Sequence, residues 1–206
     1  MSQLTDHINL RAHLGDPSRL SSYLSAPGVV RTGHFRLLSG LHTDRFLAFS
    51  RVAGNPGPLR ELAGLLAPNV SAWSPTVLLA PSTAGVALGG ALADELGLSL
   101  HLASLDRSGR PDGVVGEPDL SQARVLLVND VVTTGQGLAA LAALVRDRGG
   151  SVAGASWFAS RTPLDVSRII DAPAAAILSI DLSAVSADKC PACADKQPIE
   201  DALDLN

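Results

Sequence analysis

Aromatic side chains make up only 3% of this 206-residue chain: two Trp, one Tyr and four Phe. A core so poor in rings must be built from Leu, Val, Ala and Ile, which suits a parallel sheet covered by helices. Charge is scarce too, at 17% of residues with a net −4. Without a basic excess the chain lacks the surface that nonspecific nucleic-acid binding needs. A phosphate ligand would have to be held by backbone N–H groups, a metal ion and a few arginines. No apolar run is long enough to span a bilayer, so no membrane partner is expected. The N-terminal stretch carries Asp6, His7 and Arg11 and no apolar h-region. No secretory signal is read there, and the cytoplasm is the expected compartment.

Cysteine occurs twice, in Cys190-Pro191-Ala192-Cys193. One CxxC without a second Cys or His pair falls short of a zinc signature. Three readings stay open: half of a metal site completed by another subunit, a reversible disulfide, or two thiols in a surface tail.

Hydrophobic residues reach 46%, enough for a sizeable core, and the length suits one domain with room for a small appendage. Residues 4–26 read as a mixed helical region broken at Gly15-Asp16-Pro17. Phe35, Leu37, Phe46 and Ala48 alternate with polar neighbours, which predicts a β-hairpin turning near Ser39 to Asp44. Asn55-Pro56-Gly57-Pro58 reads as a turn before a helix over 59–67. Strand and helix then alternate: strand 76–80, helix 86–96 closed by Gly97, and strand 98–103. Residues 105–122, with Gly109, Pro111, Gly113, Gly116 and Pro118, read as a long polar loop, which is usually functional. Strands at 124–128, 151–159 and 175–180, with a helix over 138–148, complete an α/β pattern with right-handed crossovers.

The most informative segment runs from Val125 to Gly137, VLLVNDVVTTGQG. Four apolar residues read as a buried parallel strand. Asp130 follows, then Thr133-Thr134-Gly135, then a helix. A strand feeding a small-residue loop and a helix N-terminus makes an anion site, because N–H groups and the helix dipole both favour negative charge there. Asp130 is placed to accept from sugar hydroxyls or to face a metal ion.

This segment resembles the PRPP-binding motif of the type I phosphoribosyltransferases, in which two acidic residues precede a Thr/Ser-Gly loop. Here the first acidic position is Asn129 and the last loop position is Gly137. Gly33-His34-Phe35 and Leu38-Ser39-Gly40-Leu41-His42 resemble the N-terminal hood of orotate phosphoribosyltransferases. Ala80-Pro81-Ser82-Thr83-Ala84-Gly85 resembles the family's pyrophosphate loop, and Ser160-Arg161 stands where orotate enzymes carry Asp-Arg. The Cys-Pro-Ala-Cys tail resembles the ending of some orotate-type members, though it finishes acidic, with Glu200, Asp201 and Asp204.

The resemblance implies a type I phosphoribosyltransferase fold: a central parallel sheet flanked by helices, with a small hood. It divides the chain into a helical segment and hood hairpin (1–57), a PRPP-binding α/β core (58–185) and a tail (186–206). It implies transfer of the phosphoribosyl group from PRPP to a nucleobase, orotate first, with Mg²⁺ and in a homodimer. Asp130 would hold ribose hydroxyls and assist the metal. Asn129, Thr133, Thr134, Gly135, Gln136 and Gly137 would bind PRPP, with Thr83, Gly85 and Arg110 near its pyrophosphate. Arg107 would act on the leaving group from a loop, 106–116, that closes over the site. Arg161, Ser39 and His42 would meet the base, as His34 also could; a packed or solvated histidine is the other reading of both rings. The loop holds only Arg107 and Arg110 as cations, beside Asp106 and Asp112. That paucity, with Asn129, keeps two alternatives open: a different base, or a noncatalytic PRPP-binding regulator.

Overall fold

The structure is a computed structural model that describes residues 10–37, 39–82 and 85–205. Its strands and helices, in chain order, are β1 (Leu10–Ala12), α1 (Pro17–Leu24), β2 (Val30–Arg36), β3 (His42–Leu47), α2 (Phe49–Ala53), α3 (Pro56–Ser71), β4 (Val77–Pro81), α4 (Gly85–Leu96), β5 (Ser99–Leu105), β6 (Pro111–Val114), β7 (Arg124–Val132), α5 (Gln136–Asp147), β8 (Ser151–Ser160), α6 (Val166–Ile170), β9 (Ala174–Ile180), α7 (Pro191–Ala194) and β10 (Glu200–Asp201).

Seven strands form the main sheet in the order β1-β9-β8-β7-β4-β5-β6. The run from β9 to β5 is parallel. β1 and β6 close its two edges in antiparallel fashion. The α/β class and central parallel sheet expected from the sequence are therefore present.

Helices on both faces explain why β4 and β7 read as unbroken apolar runs. Alternate residues serve opposite cores. Leu78, Ala80, Leu126 and Val128 pack with Leu62, Leu66, Leu88 and Leu92 of α3 and α4. Val77, Leu79, Val125 and Leu127 pack with Leu138, Leu141 and Val145 of α5, and with Trp157. A second, three-stranded sheet, β10-β2-β3, stands apart. Phe35, Leu37, Phe46, Ala48 and Ala202 form its small core.

Several boundaries differ from the sequence expectation. Within residues 4–26, 10–12 form a strand instead of helix, because β1 pairs with the exposed edge of β9. The helical part is α1, which Asp16 caps by accepting from the Arg19 N–H at 2.9 Å. The hood turn is shorter than read: the Leu37 N–H donates to the Leu41 carbonyl, and β3 already begins at His42. Pro56 opens α3 at its first turn, where a missing N–H does no harm.

The long polar loop is largely a hairpin. β6 pairs with β5 through Ala103–Val114 and Ser104–Gly113. Pro111 starts this edge strand, a position that tolerates a residue without an N–H. Asp106 folds the turn: its carboxylate accepts from the Ser108 N–H, the Ser108 hydroxyl and the Arg110 N–H.

Candidate active site

The chain crosses from β4 through α4 to β5 on one side, and from β7 through α5 to β8 on the other. Between β4 and β7 the direction of winding reverses, and ligands of open α/β sheets bind at the strand ends of such a point. A cavity of about 720 Å³ opens there. Its floor is Asn129 to Val132 with the loop and first turns of α5, and its walls are Pro81, the β5–β6 turn and the hood.

β7 runs on to Val132, so Asn129 and Asp130 lie within the strand's end and not beyond it. Asp130 is 8% exposed. Burial pushes its carboxyl above the ordinary carboxylate range, against the opposing pull of the Val131 and Asp130 N–H groups. The Asn129 side-chain oxygen accepts from the Asp130 N–H at 2.9 Å, which fixes the amide beside the acid. Asp130 is the sole carboxylate among the described residues lining the cavity.

Thr133 and Thr134 lead into Gly135, the N-cap of α5, at φ 76. A left-handed residue here turns the chain sharply, so that the first-turn N–H groups face the loop. Those N–H groups have no helical acceptors. No side chain caps them fully: the Gln136 N–H meets the Thr134 hydroxyl only at 3.5 Å. A β-carbon on Gly135 would meet Ile169 Cδ1 at 2.9 Å and Leu164 Cδ2 at 3.1 Å. Gly85, at the start of α4, is another close approach. A β-carbon there would stand 3.3 Å from the Asn129 Cα and the Asp130 nitrogen, so α4 packs directly on the acidic segment.

Arg161 follows β8 and is 2% exposed. Its Nη2 donates to Thr43 Oγ1 and the Arg45 carbonyl, both at 2.9 Å, and more distantly to the Leu182 carbonyl. Burial lowers its pKa to about 10, and the charge of Asp44 opposes that shift. Its Nε is buried and has no hydrogen-bond partner. Ser39 Oγ, from the hood, is also buried without a partner. Both residues line the cavity.

The structure thus brings together Asn129, Asp130, Thr133 to Gly137, Arg110, Ser39 and Arg161 around one cavity. Gly85 supports this group from behind. Arg107 is exposed on the β5–β6 turn and does not line the cavity. His42 is also not part of the wall: its ring turns to His34 and Cys193, so the base contact expected of it is not made by this geometry. Thr83 lies outside the described residues. Sequence reasoning missed the apolar wall of Leu37, Phe46 and Leu47, and missed Thr43 as the anchor of Arg161. Alternation in the hairpin marks an apolar face, but no sequence signal tells which cavity that face covers.

A model of the phosphoribosyl transferase domain matches residues 50–168, more than half of the chain. The chain belongs to the phosphoribosyltransferase family. As a member it is a transferase of the glycosyltransferase kind. Its relatives include an orotate phosphoribosyltransferase of Chlorobium phaeobacteroides (strain BS1), 27% identical over 173 residues, which span 84% of this chain and 88% of the relative. The solved orotate phosphoribosyltransferase of Aeropyrum pernix superposes with a TM-score of 0.62 at 21% identity, over 78% of this chain and 92% of that one. An adenine phosphoribosyltransferase of Thermoanaerobacter pseudethanolicus superposes at 0.56 with 21% identity, over 66% and 88%. These two structures share the phosphoribosyltransferase fold, and the fold alone does not choose the base. Among the described residues no helix is long and apolar enough to cross a membrane.

Proposed function

We propose that the protein transfers the 5-phosphoribosyl group of PRPP to orotate, forming orotidine 5′-phosphate and releasing pyrophosphate. The observation that carries the base assignment is the pair of unpartnered buried donors, Ser39 Oγ and Arg161 Nε, lining one cavity. A buried donor without an acceptor is costly, and a ligand carboxylate entering between the hood and β8 would offer acceptors to such donors. Orotate has one. A guanidinium grips such a group with directional, charge-assisted bonds. The name carried by the curated relatives supports the same base.

Thr133 to Gly137 receive the 5′-phosphate through the N–H groups at the start of α5. Asp130 and Asn129 face the ribose hydroxyls. Burial raises the Asp130 carboxyl above the ordinary carboxylate range in the ligand-free protein, and hydroxyl donors or a cation shift it back toward the carboxylate. One carboxylate, one amide oxygen and substrate phosphates make a donor set that fits Mg²⁺, which keeps few protein ligands. The ion would supply charge neutralisation on the departing pyrophosphate. Arg110, in the cavity wall on the β5–β6 turn, adds a cationic donor that a leaving pyrophosphate needs, and Arg107, exposed on the same turn, would join it only if the turn closes over the site. The ring nitrogen of the base attacks C1 as the bond to pyrophosphate breaks. Leu37, Phe46 and Leu47 of the hood exclude water from that centre. Work in the cytoplasm as a homodimer completes the proposal, on the family resemblance.

The test is loss of orotate absorbance with PRPP and Mg²⁺, with Asp130→Ala as control. Loss that the control abolishes supports the reading. Consumption of another base, with none of orotate, overturns the base assignment and leaves the family standing.

A further inference from the structure

The cysteine motif that lacked a partner pair in sequence acquires one in the fold. His34 from β2, His42 from β3, and Cys190 and Cys193 at α7 converge, with one ligand atom from each lying within 4.8 Å of every other. His34, His42 and Cys190 are 5–7% exposed, and Cys193 is half-buried. Both cysteines are free. We propose that these four side chains bind one tetrahedral Zn²⁺, a structural site separate from the cavity and supplied wholly by one chain.

The distances fit a single ion. Tetrahedral zinc with sulfur at about 2.3 Å and nitrogen at about 2.0–2.1 Å puts its ligand atoms about 3.3 Å apart (N to N) and about 3.5 Å apart (N to S). His34 Nε2 and His42 Nδ1 are 3.2 Å apart. His34 Nε2 stands 3.5 Å from both sulfurs, and His42 Nδ1 stands 3.2 Å from Cys193 Sγ. Tautomer chemistry agrees. His34 Nδ1 faces the Gln197 carbonyl at 3.1 Å, and a carbonyl only accepts, so that nitrogen is the donor. Nε2 then carries the lone pair toward the cluster, as metal-bound imidazoles do when a carbonyl fixes the other ring nitrogen. Two thiolates and two neutral imidazoles around a divalent ion sum to no net charge, which a buried site tolerates. Soft sulfur with imidazole in this geometry selects zinc over Mg²⁺.

All four residues lie outside the stretch, 50–168, that matches the shared domain. The site joins the two ends of the chain that this stretch omits. The tail is also held to the hood by Ala202 and Leu205 in the hood's apolar core, the short parallel β10–β2 pairing, and two partly exposed ion pairs, Arg31–Glu200 and Arg36–Asp201. Exposed ion pairs hold weakly, so the ion would add a strong clamp of tail on hood beside this apolar packing.

The test uses the full chain, free of any histidine tag, purified under reducing conditions and reconstituted with zinc. Elemental analysis after gel filtration is expected to give about one zinc per chain. Replacement by Co²⁺ is expected to give tetrahedral visible bands with a thiolate charge-transfer band in the near ultraviolet. Cys193→Ser and His42→Ala are expected to lose the metal. Should either variant fail to fold, the cobalt spectrum of the parent protein still decides. Zinc far below one equivalent after reconstitution, with both thiols reacting freely, would overturn the site. So would a Cys190–Cys193 disulfide in the unreduced protein. None of these readouts depends on the base or on turnover.

Discussion

Arg161 at the end of β8 donates from Nη2 to Thr43 Oγ1 in the hood, across 118 residues of sequence, at 2.9 Å. The same nitrogen holds the Arg45 carbonyl. One guanidinium therefore ties the hood to the sheet that carries the phosphate loop, while lining the cavity between them. Arg161→Lys replaces a fork by a single flexible ammonium that cannot span the same acceptors. We expect it to destabilise the protein by about 1–3 kcal/mol in urea unfolding and to raise the KM for orotate. Thr43→Val removes one acceptor and should lower stability by less. Unchanged stability in Arg161→Lys would mean that the pin carries no weight.

Asp130→Asn should separate stability from function. The folded protein raises this carboxyl above its unfolded value, near 3.9. Below that pH both states are protonated and burial exacts nothing. As pH climbs, the unfolded chain ionises first, so the parent protein loses stability relative to the amide variant. The ligand-free variant should therefore melt with the parent at low pH and above it at neutral pH. Its turnover should drop about ten- to a hundredfold, the worth of one charged hydrogen bond of about 1.5–3 kcal/mol. Melting curves that coincide at every pH would refute the burial argument.

Gly135→Ala probes the loop backbone. The residue sits at φ 76, and a β-carbon would press on Ile169 and Leu164. The side chains can yield, but the left-handed conformation cannot be relieved without unwinding the turn. Strain of about 1–3 kcal/mol is expected, with a higher KM for PRPP than for the base. An alanine variant with parent-like KM for PRPP would show that the 5′-phosphate sits elsewhere.

Ser39→Ala addresses the base. Its hydroxyl is buried without a partner in the free protein, so removing it should leave the melting temperature level or slightly higher. The KM for orotate should rise about threefold to tenfold, as for the loss of one ordinary hydrogen bond, with the KM for PRPP unmoved. A selective effect on PRPP instead would exclude Ser39 from the base pocket.

The phosphate loop was legible in the sequence because all its parts are contiguous. An apolar strand, Asp130, Thr133, Thr134, Gly135 and the helix after them owe their arrangement to local geometry: strand burial, a left-handed glycine and a helix N-terminus. The parallel sheet was legible for a related reason, since burial on both faces leaves unbroken apolar runs such as Val125 to Val128. The β5–β6 hairpin was not. Glycines and prolines at 109–118 suit an open loop equally well, and only the free edge of β5 gives β6 a partner. The same holds for β1 on β9. The environments of His42 and Arg161 depended on tertiary structure most of all. His42 reads locally as a hairpin residue near a base, yet folding brings Cys193 to it from 151 positions away. Such pairings arise from the closing of the chain's two ends on each other. No local propensity or spacing encodes that step, because its energy comes from contacts that exist only once the sheet has formed.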